Sequence, residues 1–225
     1  DVAADAERAL AGAGEDDDNA AEVMSIANGN GLENLYCKHD GSLDDGFEMV
    51  THPMTLAYHQ AEMPWAAILQ KAVQMGYTSH QAGTCGLHVH VNRTAFGNTE
   101  STQDAAIARV LFFVEKFWDE LLKFSRRTQG QLNQWAARYG YKDQPKEILD
   151  HAKSGRHAGR YTAVNLTNAD TVEFRMFQGT LKYNTLIATL ELLDCIIDAA
   201  IYLTDDDLKA MSWSSFVLGC TQPEL

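Results

Sequence analysis

The stretch GLHVHVN, residues 86–92, decides the fold class because it alternates apolar and polar side chains with a period of two. This period is typical of a half-buried β-strand. His88 and His90 therefore leave the strand on one face, while the leucine and valines beside them are buried on the other. Two histidines on one sheet face are natural ligands of a metal ion or contacts of an anion. Spacing alone is equally consistent with a half-exposed polar face, and a zinc site that includes Cys85 would mix the two faces.

A second polar face is predicted for the stretch TVEFRMF, residues 171–177. Glu173 and Arg175 share one face of this strand, and the apolar residues that alternate with them share the other. A neighbouring carboxylate and guanidinium most commonly form a structural ion pair. The same pair also fits a site in which the carboxylate holds a metal ion and the guanidinium binds a phosphate through two hydrogen bonds.

A third polar position lies in a hairpin of two extended runs, predicted at residues 35–38 and 46–51. Glu48 projects opposite the apolar side chains of its neighbours, and a carboxylate in such a strand requires solvent or a cation. Asp40 begins the sequence DGSL, which is good turn chemistry by itself. Three strands thus carry ionisable groups on one face, and together they favour a metal- and phosphate-binding cleft over unrelated surface polarity.

Helical spacing of apolar residues predicts that helices surround these strands. The predicted helices lie at residues 2–11, 55–75, 103–125, 129–139, 145–152 and 184–203, and an acidic loop is predicted at 15–19. A further strand at residues 161–166 pairs with 171–177 across a turn. Strand pairs followed by long helices indicate the α+β class, with a mainly antiparallel sheet backed by helices.

The charge distribution argues against a nucleic-acid-binding protein. The chain of 225 residues has 18 Lys and Arg against 31 Asp and Glu, a net charge of −13. Seven acids and one base lie in residues 1–20, and three more acids lie in residues 205–207, so the rest of the chain is nearly balanced. A duplex-binding protein needs a basic face to displace counterions, and the sequence shows none.

The sequence also argues against a membrane-spanning protein and against a disulfide framework. The most apolar run, residues 188–203, contains Glu191, Asp194 and Asp198, whereas a membrane span needs about 20 predominantly apolar residues. The four cysteines are scattered and form no Cys-x-x-Cys pair. In a chain of this size, that pattern indicates reduced thiols and a cytoplasmic location.

Three motifs in a fixed order carry a family resemblance. They are Lys-x-Asp-Gly-Ser-Leu…Gly-Phe-Glu-x-Val-x-x-Pro at residues 38–53, Gly-Leu-His-Val-His-Val-Asn-Arg at 86–93, and Arg…Val-Asn-Leu…Thr-Val-Glu-Phe-Arg-x-Phe-x-Gly-Thr at 160–180. Together they resemble the putative amidoligase family of the carboxylate–amine ligase superfamily, which includes glutamine synthetase and glutamate–cysteine ligase. The resemblance covers residues 38–203.

This resemblance implies a glutamine synthetase-like sheet, curved into a half-barrel whose concave face is the active site. That face would hold ATP and Mg²⁺ or Mn²⁺. ATP would phosphorylate a small-molecule or peptide carboxylate, and an amine would then displace the phosphate to form an amide. Phosphoryl transfer depends mostly on positioning and charge neutralisation, which suits these side chains. We expect one such domain over residues 1–225, with a helix and an acidic, Gly- and Asn-rich loop at 1–34 and an acidic segment at 204–225.

The resemblance assigns metal binding to three side chains, Glu48, His88 and Glu173. Imidazole beside carboxylates suits Mg²⁺ or Mn²⁺ only moderately on general affinity grounds, although this superfamily uses it. Family members also begin with a strand of the type Phe-Gly-x-Glu-x-Glu, which supplies further metal carboxylates and does not occur in this sequence. We expect the chain as given to be clipped immediately after that strand.

The resemblance assigns contacts with the nucleotide and the substrate to four further residues. His90 would lie near the nucleotide phosphates, and Arg175 would stabilise charge on the transferred phosphoryl group. Arg160 would contact phosphate or substrate, and Asp40 would be a metal ligand or a substrate anchor. A ligase is therefore the leading hypothesis. The alternatives are a non-catalytic binding or scaffold protein that has lost part of its metal site, and a metal-dependent hydrolase in which His88 and His90 activate water.

Overall fold

The contacts within the chain divide it into two compact units, of which the first contains a hairpin and three helices among the described residues. The computed structural model describes residues 15–41, 43, 46–155 and 159–221. The first unit comprises residues up to 85 together with 179–187, and the second comprises 86–178 and 188 onward. The elements of the first unit are helix α1 (Glu15–Ala27), a 3₁₀ turn (Gly29–Gly31), strands β1 (Leu35–Lys38) and β2 (Glu48–Thr51), and helices α2 (Leu56–Ala61) and α3 (Trp65–Gln74).

Helix α1 occupies the position at which the acidic sequence predicts a loop, residues 15–19. Ala20, Val23 and Ala27 are buried along one face, which packs the helix into its unit. The acidic run therefore starts a helix rather than a loop. The helix predicted at residues 2–11 lies outside the described residues.

Strands β1 and β2 form the predicted antiparallel hairpin. Their register places Lys38 opposite Glu48. Burial alternates along β1, where Cys37 is fully buried. The backbone N–H of Leu43 donates to the carbonyl oxygen of Asp40 at 3.0 Å, which confirms that Asp40 begins a turn.

The single helix predicted at residues 55–75 is two helices in the structure. Thr55 caps α2, because its hydroxyl oxygen accepts a hydrogen bond from the backbone N–H of Tyr58 at 3.2 Å. The break falls at Pro64, which has no N–H and disfavours helical geometry in the preceding residue. Helix α3 then begins and buries residues such as Ile68.

The second unit contains a three-stranded sheet and several helices. Its strands are β3 (Gly86–Asn92), β4 (Val164–Asn165) and β5 (Thr171–Gln178). A 3₁₀ turn (Arg93–Phe96) follows β3, and the helices are α4 (Glu100–Lys116), α5 (Trp118–Ser125), α6 (Gln129–Trp135), α7 (Pro145–Lys153), α8 (Tyr183–Tyr202, from residue 188 on), α9 (Asp205–Ala210) and α10 (Trp213–Gly219). The long helix predicted at residues 103–125 is divided at Phe117 into α4 and α5. The segment predicted to be acidic, residues 204–225, contributes the buried side chains of Leu208 and Phe216.

The three strands pair in the order β3-β5-β4, and both pairs are antiparallel. Strand β3 has the bounds that its alternating sequence predicts. Strand β4 is shorter than the predicted strand at residues 161–166, because Thr162 instead forms an isolated parallel bridge with Ala137. The sheet therefore has one long edge strand, a long central strand and a short second edge.

A bulge interrupts β5 where it faces β3. Leu87 lies opposite Phe177, whereas Val89 lies opposite Phe174, so β5 has one more residue than its partner between these two pairs. Met176 and Phe177 are both buried, although strict alternation would place them on opposite faces. The bulge thus resets the alternation, and bulges of this kind are common beside functional sites.

The core of the second unit joins the apolar face of the sheet to helices α4 and α8. Phe174 on β5, Ile107 and Leu111 on α4, and Leu192 on α8 are buried in one apolar cluster. These helices and antiparallel sheets confirm the α+β class, while the glutamine synthetase-like half-barrel stays a prediction. Within the described ranges, no helix has both the length and the apolar character that crossing a bilayer requires.

Candidate active site

Three polar residues lie side by side across the three strands of the sheet in the second unit. His90 on β3 lies directly opposite Glu173 on β5, and Asn165 on β4 lies opposite Glu173 from the other side. Directly opposite residues in an antiparallel pair project on the same face. The other face carries the buried side chains of Val172 and Phe174. The strand register therefore places Glu173 at the centre of a polar surface.

The carboxylate of Glu173 is buried and hydrogen-bonded through both oxygens. Only 4% of the residue is exposed. Its Oε1 accepts a hydrogen bond from Arg175 Nη1 at 2.5 Å, and its Oε2 accepts one from Asn165 Nδ2 at 2.7 Å. Burial by itself would raise the pKa of Glu173, but the Asn165 hydrogen bond and the positive charge of Arg175 hold it below its usual value. Glu173 is therefore ionised at neutral pH.

The amide of Asn165 is oriented by the residue two positions further on. Thr167 donates to Asn165 Oδ1 twice, from its backbone N–H at 2.9 Å and from its hydroxyl at 2.8 Å. These two bonds occupy the acceptor end of the amide, so the donor end points to Glu173. Asn165 is itself 2% exposed. The hydrogen bonds from Thr167 to Asn165 and from Asn165 to Glu173 together fix the position of the Glu173 carboxylate.

The two histidines of β3 flank the same carboxylate oxygen. His88 Nδ1 lies 3.5 Å and His90 Nε2 lies 3.6 Å from Glu173 Oε1, which are longer than good hydrogen bonds. His90 Nδ1 is 3.1 Å from the hydroxyl of Thr171. Burial, together with the positive charges of Arg175 and Arg127, lowers the pKa of His88 to about 4. His88 is therefore neutral at neutral pH, whereas the more exposed His90 faces solvent with half of its side chain.

Arg175 lies within the bulge of β5 and is mostly enclosed. Its side chain is 14% exposed, and its guanidinium lies 5.9 Å from the centre of the Tyr161 ring. Its Nε atom is buried and has no hydrogen-bond partner among the described residues. A buried donor without an acceptor costs free energy unless a ligand supplies one. Arg175 is thus held by Glu173 at Nη1 while Nε is left to donate to an incoming acceptor.

Arg160 reaches the same aromatic ring from its own position in the loop before β4. Its Nη2 donates to the hydroxyl of Tyr161 at 3.1 Å, and its guanidinium carbon lies 5.1 Å from the ring centre. Cation–π contact of this kind stabilises a guanidinium beside an aromatic ring. Tyr161 therefore connects Arg160, which is exposed, to Arg175, which is not.

Glu48 and Asp40 belong to the first unit. Glu48 forms an ion pair with Lys38, with 3.1 Å between Oε2 and Nζ, and 36% of its side chain is exposed. A carboxylate in this strand requires solvent or a cation, and in the structure the cation is Lys38 of the neighbouring strand. Asp40 is half-buried at the start of its turn. The structure thus gathers His88, His90, Glu173 and Arg175 into one cluster of the second unit.

The metal ligands that the resemblance assigns stay a prediction, with Glu48 in the first unit and His88 and Glu173 in the second. Among the described residues, no three His, Cys, Asp or Glu side chains are placed to hold a metal ion together. Glu173 directs its oxygens at Arg175 and Asn165 instead. Donors arranged in this way fit an anion beside Arg175 better than a cation beside Glu173.

Sequence reasoning missed three residues of this cluster. Asn165 could have been noticed as an amide in an otherwise apolar strand, but its pairing with Glu173 follows only from the register. Tyr161 gives no pattern of its own. Arg127 lies about 40 residues from His88 in the chain, and only the tertiary fold brings its charge close enough to lower the pKa of His88.

One comparison with known proteins gives a match. A family model described as "Putative amidoligase enzyme" matches residues 11–197, which is most of the chain and includes every candidate residue from Asp40 to Arg175. No curated protein and no solved structure matches the chain.

Proposed function

Because the chain belongs to the putative amidoligase family, we propose that it is an ATP-dependent carboxylate–amine ligase. In the proposed reaction, a carboxylate oxygen attacks the γ-phosphorus of ATP, the bond from that phosphorus to the ADP oxygen breaks, and an acyl phosphate forms. An amine nitrogen then attacks the acyl carbon and loses a proton, while the carbon–oxygen bond to phosphate breaks. The products are an amide, ADP and inorganic phosphate.

The observation that carries this proposal is the state of Arg175. Its guanidinium is enclosed, fixed at Nη1 by Glu173, and has a buried Nε without a partner among the described residues. Phosphoryl transfer requires mainly that charge on the transferred group be neutralised by pre-positioned donors. A planar guanidinium is suited to this role because it can donate two parallel hydrogen bonds to phosphoryl oxygens.

The other residues of the cluster take roles that follow from their contacts. Glu173 is a positioning residue, since it holds Arg175 and is itself held by Asn165. His90 has 49% of its side chain exposed, which supports the proposal that it contacts phosphate oxygens from the open side of the cluster. Arg160 is exposed and contacts the substrate carboxylate or a phosphate. Asp40 stays a predicted substrate anchor.

The family resemblance also implies Mg²⁺ or Mn²⁺, which would supply further charge neutralisation when bound. The metal ligands that it assigns are Glu48, His88 and Glu173. In this structure the carboxylate of Glu173 is hydrogen-bonded to Arg175 and Asn165. The steps proposed above are therefore assigned to protein side chains, without a metal ion. An ATP-consuming reaction also fits the cytoplasmic location that the scattered cysteines indicate.

The proposal is tested with hydroxylamine as a general amine. The chain is incubated with ATP, a divalent cation and a panel of carboxylates that includes glutamate, aspartate and glutamyl peptides, and ADP release and hydroxamate formation are measured. A ligase releases ADP and forms a hydroxamate only when a carboxylate is present. Without an amine, ATP labelled with ¹⁸O at the β,γ-bridge should scramble its label, which reports reversible acyl phosphate formation.

The matched control is Arg175→Lys, which keeps the charge and removes the planar fork. We expect turnover to fall by about a hundredfold or more while the affinity for ATP changes by less than about tenfold, because a lysine cannot reproduce the two parallel hydrogen bonds. Equal losses of turnover and affinity would contradict the phosphoryl role of Arg175.

A non-catalytic binding protein is the second candidate, and one observation favours it. The described residues do not gather three metal donors, and Glu173 is saturated by Arg175 and Asn165. Such a protein would bind ATP without releasing ADP under any combination of carboxylate and amine. A metal-dependent hydrolase would differ from both, because it would cleave an amide when ATP is omitted.

A further inference from the structure

Arg127 is placed by a helix end rather than by a strand. It follows α5, whose C-terminal cap Arg126 has a left-handed backbone with φ of 61°. The hydroxyl oxygen of Ser125 accepts a hydrogen bond from the backbone N–H of Arg127 at 3.2 Å. A left-handed residue and a side-chain bond together fix the direction in which the chain leaves the helix. The backbone of Arg127 is therefore held in one orientation.

The guanidinium of Arg127 reaches the polar face of the sheet beside Gly86. A Cβ atom on Gly86 would lie 2.7 Å from Arg127 Nη2 and 2.8 Å from His88 Nε2. Both nitrogens thus crowd the space that a side chain at position 86 would occupy. Glycine within a strand commonly marks such a close approach. Its backbone is not left-handed here, so the need for glycine comes from the neighbouring side chains.

The guanidiniums of Arg127 and Arg175 both lie close to His88, whose ring has Gly86 on one side and Glu173 on the other. Arg175 donates a hydrogen bond to Glu173 Oε1, and the same oxygen lies 3.5 Å from His88 Nδ1. Arg127 Nη2 and the other ring nitrogen of His88, Nε2, both border the space beside Gly86. Around His88, the two guanidiniums of Arg127 and Arg175 outnumber the one carboxylate of Glu173, in a chain whose net charge is −13. Such a cluster favours a multiply charged oxyanion.

We propose that Arg127 is a phosphoryl-binding residue, which together with Arg175 holds the phosphoryl group of ATP. This inference rests on the proposed function and adds to it a second guanidinium and the reason for glycine at position 86. Arg127 donates to phosphoryl oxygens from the helix side of the cluster, and Arg175 donates from the bulge of β5.

The test measures binding of ATP and of inorganic tripolyphosphate by calorimetry in the presence of a chelator, so that no metal contributes. The variants are Arg127→Gln and, as a control of the same charge, Arg126→Gln. Because a charge-assisted hydrogen bond is lost, Arg127→Gln should weaken binding of both probes by about tenfold or more. Arg126→Gln should change it by less than about threefold, since the Arg126 guanidinium donates to the carbonyl of Gln178 at 3.4 Å.

A second variant, Gly86→Ala, tests the geometry without removing a charge. The added methyl group would displace the guanidinium of Arg127 and the ring of His88, which are both ends of side chains, so the fold should survive. We expect Gly86→Ala to weaken binding of ATP in the wild-type background and to have a smaller effect when Arg127 is already replaced by Gln. Additive losses in the double variant would overturn the role of Gly86.

The outcomes separate this inference from the proposed function. If Arg127→Gln binds both probes as tightly as the wild type, Arg127 is not a phosphoryl contact, whereas the ligase proposal stands. Equal losses in Arg126→Gln and Arg127→Gln would show a general effect of charge and would overturn the inference. The same calorimetry with glutamate gives a further outcome. If Arg127→Gln loses glutamate binding and keeps ATP binding, Arg127 contacts the substrate carboxylate instead, and the inference is overturned. Absence of ATP binding in the wild type would refute both proposals.

Discussion

The substitution Glu173→Gln tests whether the carboxylate of Glu173 is the structural centre of the cluster. Glutamine is isosteric with glutamate, so the change removes the charge and leaves the volume. Removal of one partner of a buried ion pair costs about 3–5 kcal/mol. Arg175 keeps 14% of its side chain in solvent, which places the expected loss at the lower end of this range, about 3 kcal/mol of the free energy of unfolding.

The hydrogen bond between Asn165 and Glu173 permits a rescue. In the double variant Asn165→Asp with Glu173→Gln, the carboxylate and the amide exchange places, and the amide introduced at position 173 can donate to the carboxylate introduced at position 165. Thr167 still donates twice to position 165, which stabilises a carboxylate there. The double variant should recover about half of the lost free energy, a coupling of about 1 kcal/mol or more. Asn165→Asp alone should destabilise at neutral pH, because two carboxylates then face each other.

The assay is urea unfolding at neutral pH, monitored by circular dichroism and extrapolated linearly. The matched control is Glu48→Gln, because Glu48 also pairs with a cation on a strand but has 36% of its side chain exposed. An exposed pair contributes less than about 1 kcal/mol. If Glu173→Gln costs no more than Glu48→Gln, or if the double variant is no more stable than Glu173→Gln alone, Glu173 does not organise the cluster.

Two further predictions concern stability outside the cluster. Lys116→Met should destabilise the chain by about 1–3 kcal/mol and speed hydrogen exchange in α9, because Lys116 Nζ donates to three backbone carbonyls near the end of that helix, each at 2.7 Å. The control is Lys123→Met, since Lys123 is exposed. An equal effect of the two substitutions would contradict the argument. Burial lowers the pKa of His59 to about 4 from 6.5, so the unfolded chain binds a proton between these pH values that the folded chain does not. Stability should therefore fall by at most about 3 kcal/mol as the pH drops from 6.5 to 4, and His59→Gln, whose amide can still accept the bond from Trp65 Nε1, should flatten this dependence in unfolding curves followed by tryptophan fluorescence.

Local patterns were sufficient for the strand that carries both histidines. The alternation in residues 86–92 depends only on neighbouring side chains, so the bounds of β3 and the shared face of His88 and His90 follow from it directly. Helix breaks were harder to predict. Pro64 is a visible signal, but the division between α4 and α5 at Phe117 has no such marker, because apolar residues continue at helical spacing through it.

The shared face of Glu173 and Arg175 was also predicted, but the bulge that contains Arg175 was not. Alternation along TVEFRMF places Phe177 with Glu173 and Arg175, whereas the structure buries it with Met176. An extra residue in one strand is defined only relative to the strand that it pairs with, so the sequence of β5 alone does not reveal it. The bulge matters to function because Arg175 lies in it.

The partners of Glu173 show why a site of this kind exceeds what motifs can predict. His90 is 83 residues away in the chain and Asn165 is eight residues away, yet the register places both directly opposite Glu173. A slip of one residue between β3 and β5 would turn both histidines to the apolar face, so the packing of residues such as Phe174 against α4 also fixes the chemistry of the opposite face. The sheet core and the cluster are therefore one structure, and a variant that weakens catalysis must be shown to keep the register before its effect is assigned to chemistry. Glu173→Gln with its Asn165→Asp rescue meets this requirement, because a slipped register would separate positions 165 and 173 and abolish the rescue.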